Sequence, residues 1–232
     1  MSDDVPFRLP PVDPAAAADD VPSASLSPEL LASLLADGDD ELAAWTLRHA
    51  MDESSRAVVY DGLLREAMHL VGERWQTGRW TVAEEHLASR TLLRTLERLR
   101  PELGSEGRVG PLAVLAGVEG EQHMIGLACL EQLLAEDGWT VANLGADLPA
   151  VDLATFVARN EVSLVCLSAM DAQRVGTLAD AVVAVKDARS ETTVLVGGGI
   201  TSVPGLGVAV QADGVAHTLV EALGLARAHR PA

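Results

Sequence analysis

The chain has 232 residues, 48% of them apolar, which is room for two small domains with buried cores. Its formal charge is −17, and its one short Arg-containing run, residues 90–100, reads as an amphipathic helix; a grip on nucleic-acid phosphates is therefore excluded and an anionic membrane surface disfavoured. The first residues carry no basic stretch followed by an apolar run, and no segment is apolar for long enough to span a bilayer, so the sequence reads as cytoplasmic.

Residues 1–25 are rich in Pro, Ala and Asp and predict a disordered tail. Helical periodicity begins at Ser27, a capping residue placed before Pro28, and a first helix stops at Gly38. A second helix starts near Asp39 or Asp40 and runs through Asp52 and Glu53. A third covers Ser54 to Gly78, and a fourth runs from Thr81 to Pro101. Four amphipathic helices joined by short turns predict a bundle over residues 26–100. Residues 101–110 are polar and Gly-rich, and are the best candidate for a linker.

The period then changes. Short apolar runs near residues 111–118, 139–145, 162–170 and 192–199 read as buried strands, with a weaker one at 213–217. Helical segments follow each: residues 126–138, 149–160, 172–188, a short one after Pro204, and 220–229. Strands alternating with helices over 111–232 predict a doubly wound, Rossmann- or flavodoxin-like parallel sheet, so the fold class is a helical bundle followed by an α/β domain. Ligands of such sheets sit at the carboxyl ends of the strands. The two cysteines, Cys129 and Cys166, lie in apolar runs and read as inert core thiols. Aromatics are only 3% of the chain, so each of its four tryptophans is expected to mark a packed site.

The loops after the first, third and fourth strands hold unusual residues: Val118 to Gly126, Ser168 to Met170, and Gly197 to Gly199. A neutral imidazole at His123 is a suitable transition-metal ligand. Glu121, two residues earlier, is placed to accept from the second ring nitrogen and fix the tautomer. Gly126 and the Gly197–Gly198 pair leave room for close approach of a ligand, and Ser168 offers a hydroxyl to a buried heterocycle.

Glu121-x-His123-x-x-Gly126, then Ser168-x-Met170, then Gly197–Gly198, resembles the base-off/His-on signature of the cobalamin (vitamin B12)-binding family. The gaps, residues 127–167 and 171–196, fall within that family's usual range. Met170 departs from the usual Leu, a swap that conserves volume. The resemblance implies that His123 replaces the cofactor's own base as lower ligand to cobalt, with Gln122 in the same loop. It implies further that the displaced nucleotide tail runs beside Ser168, Gly197 and Gly198.

Gly72-x-x-Trp75-x-x-Gly78, with Glu85–His86 following, is similar to the helical cap that precedes such domains. The Trp75, nine residues, Glu85–His86 form is that of light-responsive adenosylcobalamin proteins. It implies that Trp75 covers the upper cobalt face while Glu85 and His86 contact the upper ligand. Gln76 departs from a His that some of these proteins carry after the Trp, which puts capture of cobalt at that position in doubt.

Three functions follow from the resemblance. The first is a photoreceptor or cofactor-state sensor that signals to a protein partner, with biliverdin or another linear tetrapyrrole as a second chromophore beside Trp80; the other reading of Trp80 is bundle core. The second is a methyl carrier, with methylcobalamin, serving a separate methyltransferase. The third is cobalamin storage or delivery. On the first reading the chain is a sensor and not an enzyme; assembly as a homo-oligomer is compatible with all three.

Overall fold

The computed structural model describes residues 26–100 and 110–231. The expected amino-terminal tail and nearly all of the expected linker lie outside the described residues. Among those described, no helix is long and apolar enough to cross a membrane.

The amino-terminal half is helical. Helix α1 (Pro28–Ala36) begins where Ser27 Oγ accepts from Leu30 N at 3.2 Å. Helix α2 (Asp40–Met51) is capped the same way by Asp39. Helix α3 (Arg56–Val59) runs through a π-helical turn (Tyr60–Leu64) into α4 (Arg65–Gln76). Helix α5 (Val82–Arg98) starts in a reciprocal capping box between Thr81 and Glu84. Leu31, Leu35, Leu47, Leu64, Leu92 and Leu96 fill the centre of the bundle.

Sequence periodicity predicts an unbroken α-helix from Ser54 to Gly78, and the π turn is the departure from it. Its cause is tertiary. The Tyr60 hydroxyl donates to Gln132 Oε1 at 2.6 Å, and the Asp61 carboxylate accepts from the backbone of Leu219 and Val220 at 2.9 and 2.8 Å. The wider turn lies where the bundle meets the second half of the chain, and its partners there outweigh the regular α ladder.

That second half is a five-stranded, all-parallel sheet in the order β2-β1-β3-β4-β5. The strands are β1 (Leu112–Gly117), β2 (Thr140–Asn143), β3 (Val162–Ser168), β4 (Thr193–Gly197) and β5 (Gly214–Val215). The last is shorter than the run 213–217 suggested. Period-two alternation sends Ala113, Leu115, Leu164 and Cys166 to one face. There they pack under α6 (Ile125–Glu136) and α10 (Leu219–Ala228). Val114, Ala116, Val165 and Leu167 face α7 (Ala150–Arg159), α8 (Val175–Ala188) and the short α9 (Leu206–Val210) on the other.

The bundle docks on α6 and α10. Cys129 and Leu133 of α6 are buried in the bundle core, and Ile125 packs against it. Gln132, also on α6, is buried with both ends of its amide bonded: Oε1 accepts from Tyr60 and from Arg56 Nη1 at 3.1 Å, and Nε2 donates to Leu96 O at 2.6 Å. Burial pushes the Cys166 thiol up to about 12 and that of Cys129 up as well, so both are protonated core residues as expected.

The tryptophans divide. Trp139 is buried, but Trp45 and Trp75 are 39% and 45% exposed. The expectation that every tryptophan marks a packed site fails for these two, which sit on solvent-facing helix surfaces; Trp45 stacks on His49 with ring centroids 5.1 Å apart.

Candidate functional site

Strand order reverses beside β1, which has β2 on one side and β3 on the other. Pairing then aligns Gly117 with Ser168 and Ser168 with Gly197, so the last residues of β1, β3 and β4 stand side by side. The three motif loops predicted from sequence therefore open from one edge of the sheet, at the switch point where such folds bind ligands.

Beyond β1 the chain turns at Gly120 and buries Glu121, while Gln122 and His123 are exposed. Glu121 Oε1 accepts from the backbone N–H of His123 at 2.9 Å and lies 2.5 Å from its Nδ1. Oε2 accepts from Met170 N at 2.6 Å. Burial alone would raise the Glu121 pKa. The hydrogen bonds from the His123 amide and ring and from Met170 N outweigh it, and hold the carboxyl below its usual range. An ionised carboxylate only accepts, so Nδ1 carries a ring proton, and in the neutral ring the lone pair is then on Nε2. Among the described residues no group of three His, Cys, Asp or Glu side chains forms a metal cage.

The floor beside His123 is small and polar. Ser168 Oγ makes no hydrogen bond to the described residues. Gly198 has φ +91°, and a Cβ there would fall 2.3 Å from Ala169 O, so only glycine serves. A Cβ on Gly126 would meet nothing within 4 Å, and one on Gly197 only Ala216 O at 3.5 Å. The packing itself does not demand glycine at those two positions. Met170 is exposed, and its sulfur accepts from Gly199 N at 3.2 Å.

On the bundle, Trp75 lies in the last turn of α4, partly exposed, with Gln76 ending the helix beside it. The Arg74 guanidinium lies 4.8 Å from the centre of the Trp80 ring, and Trp80 packs against the bundle core. The capping box at Thr81 puts Glu85 in the first turn of α5 and His86 directly after it. Glu85 accepts from Ser89 Oγ at 2.7 Å and lies 3.6 Å from His86 Nε2. The structure thus gathers Glu121, His123, Gly126, Ser168, Met170, Gly197 and Gly198 at the sheet edge. Trp75, Trp80, Glu85 and His86 form a second group on the bundle. Among the described residues no hydrogen bond or ion pair joins the two groups.

Family models for the B12 binding domain match residues 111–223 and, separately, residues 29–100. The chain belongs to the B12-binding family. This B12-binding chain is 29% identical over 210 residues to a corrinoid protein of Desulfitobacterium hafniense, a match covering 87% of the chain and 96% of that relative. It is 36% identical over 108 residues to the HTH-type transcriptional repressor CarA of Myxococcus xanthus, which covers 47% of the chain and 35% of the repressor. Its fold is that of the monomethylamine corrinoid protein of Methanosarcina barkeri, with a TM-score of 0.70 and 19% identity over 85% of this chain and 95% of that one.

Sequence reasoning missed two residues of the B12-binding protein that brace the His123 loop. Asp147 Oδ1 accepts from Gly120 N at 2.6 Å, and Arg174 Nη1 donates to Glu119 O at 3.1 Å. Asp147 sits in a Gly–Ala–Asp–Leu–Pro turn after β2, whose turn composition was the available signal. Nothing local marked Arg174.

Proposed function

We propose that the chain holds a corrinoid base-off, with His123 Nε2 as lower ligand to cobalt, and acts as a sensor of cofactor state rather than as an enzyme. The observation that carries the binding mode is the Glu121–His123 pair: a buried carboxylate holds Nδ1, and the His123 side chain stays mostly exposed at the edge where β1, β3 and β4 end. When bound, a corrinoid supplies a cobalt centre whose upper alkyl bond is weak and absorbs visible light. His123 would hold the macrocycle, and Ser168, Gly197 and Gly198 would receive the displaced tail. Trp75, Glu85 and His86 would contact the bound group from the bundle. The Trp75, Glu85–His86 spacing supports the sensor, and the likeness to part of a transcriptional repressor, CarA, supports a regulatory role. Output would pass to a protein partner through the seating of the bundle on α6 and α10.

A second reading is a methyl-carrying subunit for a separate methyltransferase. The match along nearly the whole of a corrinoid protein favours it.

One set of samples separates them. The protein is purified with adenosylcobalamin in the dark, its spectrum recorded, and the sample illuminated. A photoproduct with a change in oligomeric state supports the sensor. Methyl exchange with a corrinoid methyltransferase, unaffected by light, supports the carrier. Biliverdin added to the same protein tests a second chromophore beside Trp80; no far-red band ends that idea. His123→Ala must weaken binding and remove the imidazole-ligated spectrum, and an unchanged spectrum rejects the ligand assignment.

A further inference from the structure

Asp147 has φ +58°, a left-handed backbone that residues other than glycine rarely adopt. Such a conformation persists where its surroundings over-determine it. Here the surroundings are the His123 loop. Asp147 Oδ1 accepts from Gly120 N at 2.6 Å, and Asp147 N donates to Glu121 O at 2.9 Å, so side chain and backbone grip the same turn from one residue. The neighbouring residues tie the base of the turn: Gly117 N donates to Gly145 O at 2.8 Å and Leu148 N to Gly117 O at 3.0 Å.

Arg174 closes the other side. Its guanidinium donates to Glu119 O and lies where a side chain on Gly120 would be, 2.2 Å from an ideal Cβ. Gly120 itself has φ +80°. The carbonyl of Glu119, the amide of Gly120 and the carbonyl of Glu121 are therefore each held from outside the loop, and His123 follows two residues later. Glu121 fixes the ring relative to the loop; Asp147 and Arg174 fix the loop relative to the sheet.

We propose that Asp147, with Arg174 as the opposing clamp, is a positioning residue that sets the turn aiming the His123 imidazole. This rests on His123 being the cobalt ligand. A metal bond tolerates little misdirection, so a turn free to shift would favour the unligated imidazole without unfolding the protein. Asp147→Gly keeps the left-handed backbone and removes the acceptor. Asp147→Asn keeps an acceptor oxygen in the same place.

The test uses the full chain, uniformly labelled with ¹⁵N, loaded with cob(II)alamin and read by electron paramagnetic resonance. A protein imidazole splits the cobalt lines into doublets, whereas the cofactor's own ¹⁴N base splits them into triplets. The doublet fraction measures His123 ligation, and melting of the corrinoid-free proteins is measured alongside. Wild type is expected to give doublets and Asp147→Asn nearly the same. Asp147→Gly should show a ligation constant lowered roughly tenfold, the low end for losing a residue that orients a metal ligand, at an unchanged melting temperature.

Wild-type doublets with an equal doublet fraction in Asp147→Gly overturn the inference and leave the proposed function standing. A wild type without doublets, matching His123→Ala, overturns both. Should Asp147→Gly fail to fold, Arg174→Met tests the clamp from the other side. A clear loss of doublets is expected there, and an unchanged fraction overturns the proposal.

Discussion

The carboxylate of Glu121 reaches across the sheet edge to the backbone N–H of Met170, 2.6 Å away, while its other oxygen holds His123. One buried side chain thereby ties the loop after β1 to the end of β3. Two oxygens accept from three N–H groups, an arrangement that needs an acceptor at both ends. In Glu121→Gln the amide nitrogen would face one of those donors, so either Met170 or His123 loses its partner. Corrinoid affinity is expected to fall about 10- to 100-fold, as when a residue supporting a metal-bound histidine is lost. Absorbance titration with cobalamin measures it; wild-type affinity in the variant would separate Glu121 from ligand positioning.

Trp75 tests the cap. The residue is 45% exposed and its indole makes no hydrogen bond among the described residues, so Trp75→Ala loses the packing of the buried part of the ring and no polar partner. A melting point lowered by a few degrees, with the fold kept, is expected. Retention of a cobalamin with a small upper ligand should change little, while adenosylcobalamin leaves faster through gel filtration in the dark. Equal retention of both cofactors would remove the capping role.

The bundle–sheet junction should behave as one network. Tyr60→Phe removes one donor to Gln132 and leaves Arg56 Nη1 in place, so it should cost about 1 kcal/mol. Gln132→Ala leaves the buried Tyr60 hydroxyl proton and Arg56 Nη1 without that acceptor, while Leu96 O keeps the Leu99 N–H at 3.0 Å, and should cost about 2 kcal/mol or more. Urea unfolding of the two single variants and the double variant checks this. Additive losses would mean that Tyr60 and Gln132 do not act on each other.

Much of this was legible in the sequence. Alternating strands and helices predict the parallel sheet, and parallel strands put their carboxyl ends on one edge. The loops holding His123, Ser168 and Gly197 could thus be brought together without knowing the strand order. The order itself, with Gly117, Ser168 and Gly197 in register, comes from tertiary pairing. Met170 was read as a side chain beside the ligand, yet its backbone N–H also holds Glu121; no residue preference encodes a backbone donor. Asp147 and Arg174 stayed hidden because their partners are main-chain atoms 27 and 55 residues away. The π turn was hidden because Tyr60 and Asp61 answer to α6 and α10, not to their own helix.

Acid stability offers a test away from the site. Asp213 precedes β5, and its Oδ2 accepts from Lys186 Nζ and from Val194 N, both at 2.6 Å. Burial would raise its pKa, but the hydrogen bonds from Lys186 and Val194, with the charges of Lys186 and His229, outweigh it and hold the carboxyl below 3.8. A carboxyl lowered by folding stabilises the native state in full above its unfolded pKa, about 3.9. That stabilisation is lost as pH falls through the lower, folded value. Asp213→Asn should therefore be less stable than wild type at pH 7, and the gap should narrow as the wild-type carboxyl takes up its proton in strong acid. Urea midpoints of both proteins between pH 7 and about pH 2 measure this. A gap that stayed constant across that range would mean that the carboxylate charge contributes nothing, and that Asp213 acts only as a neutral acceptor joining α8 to β4.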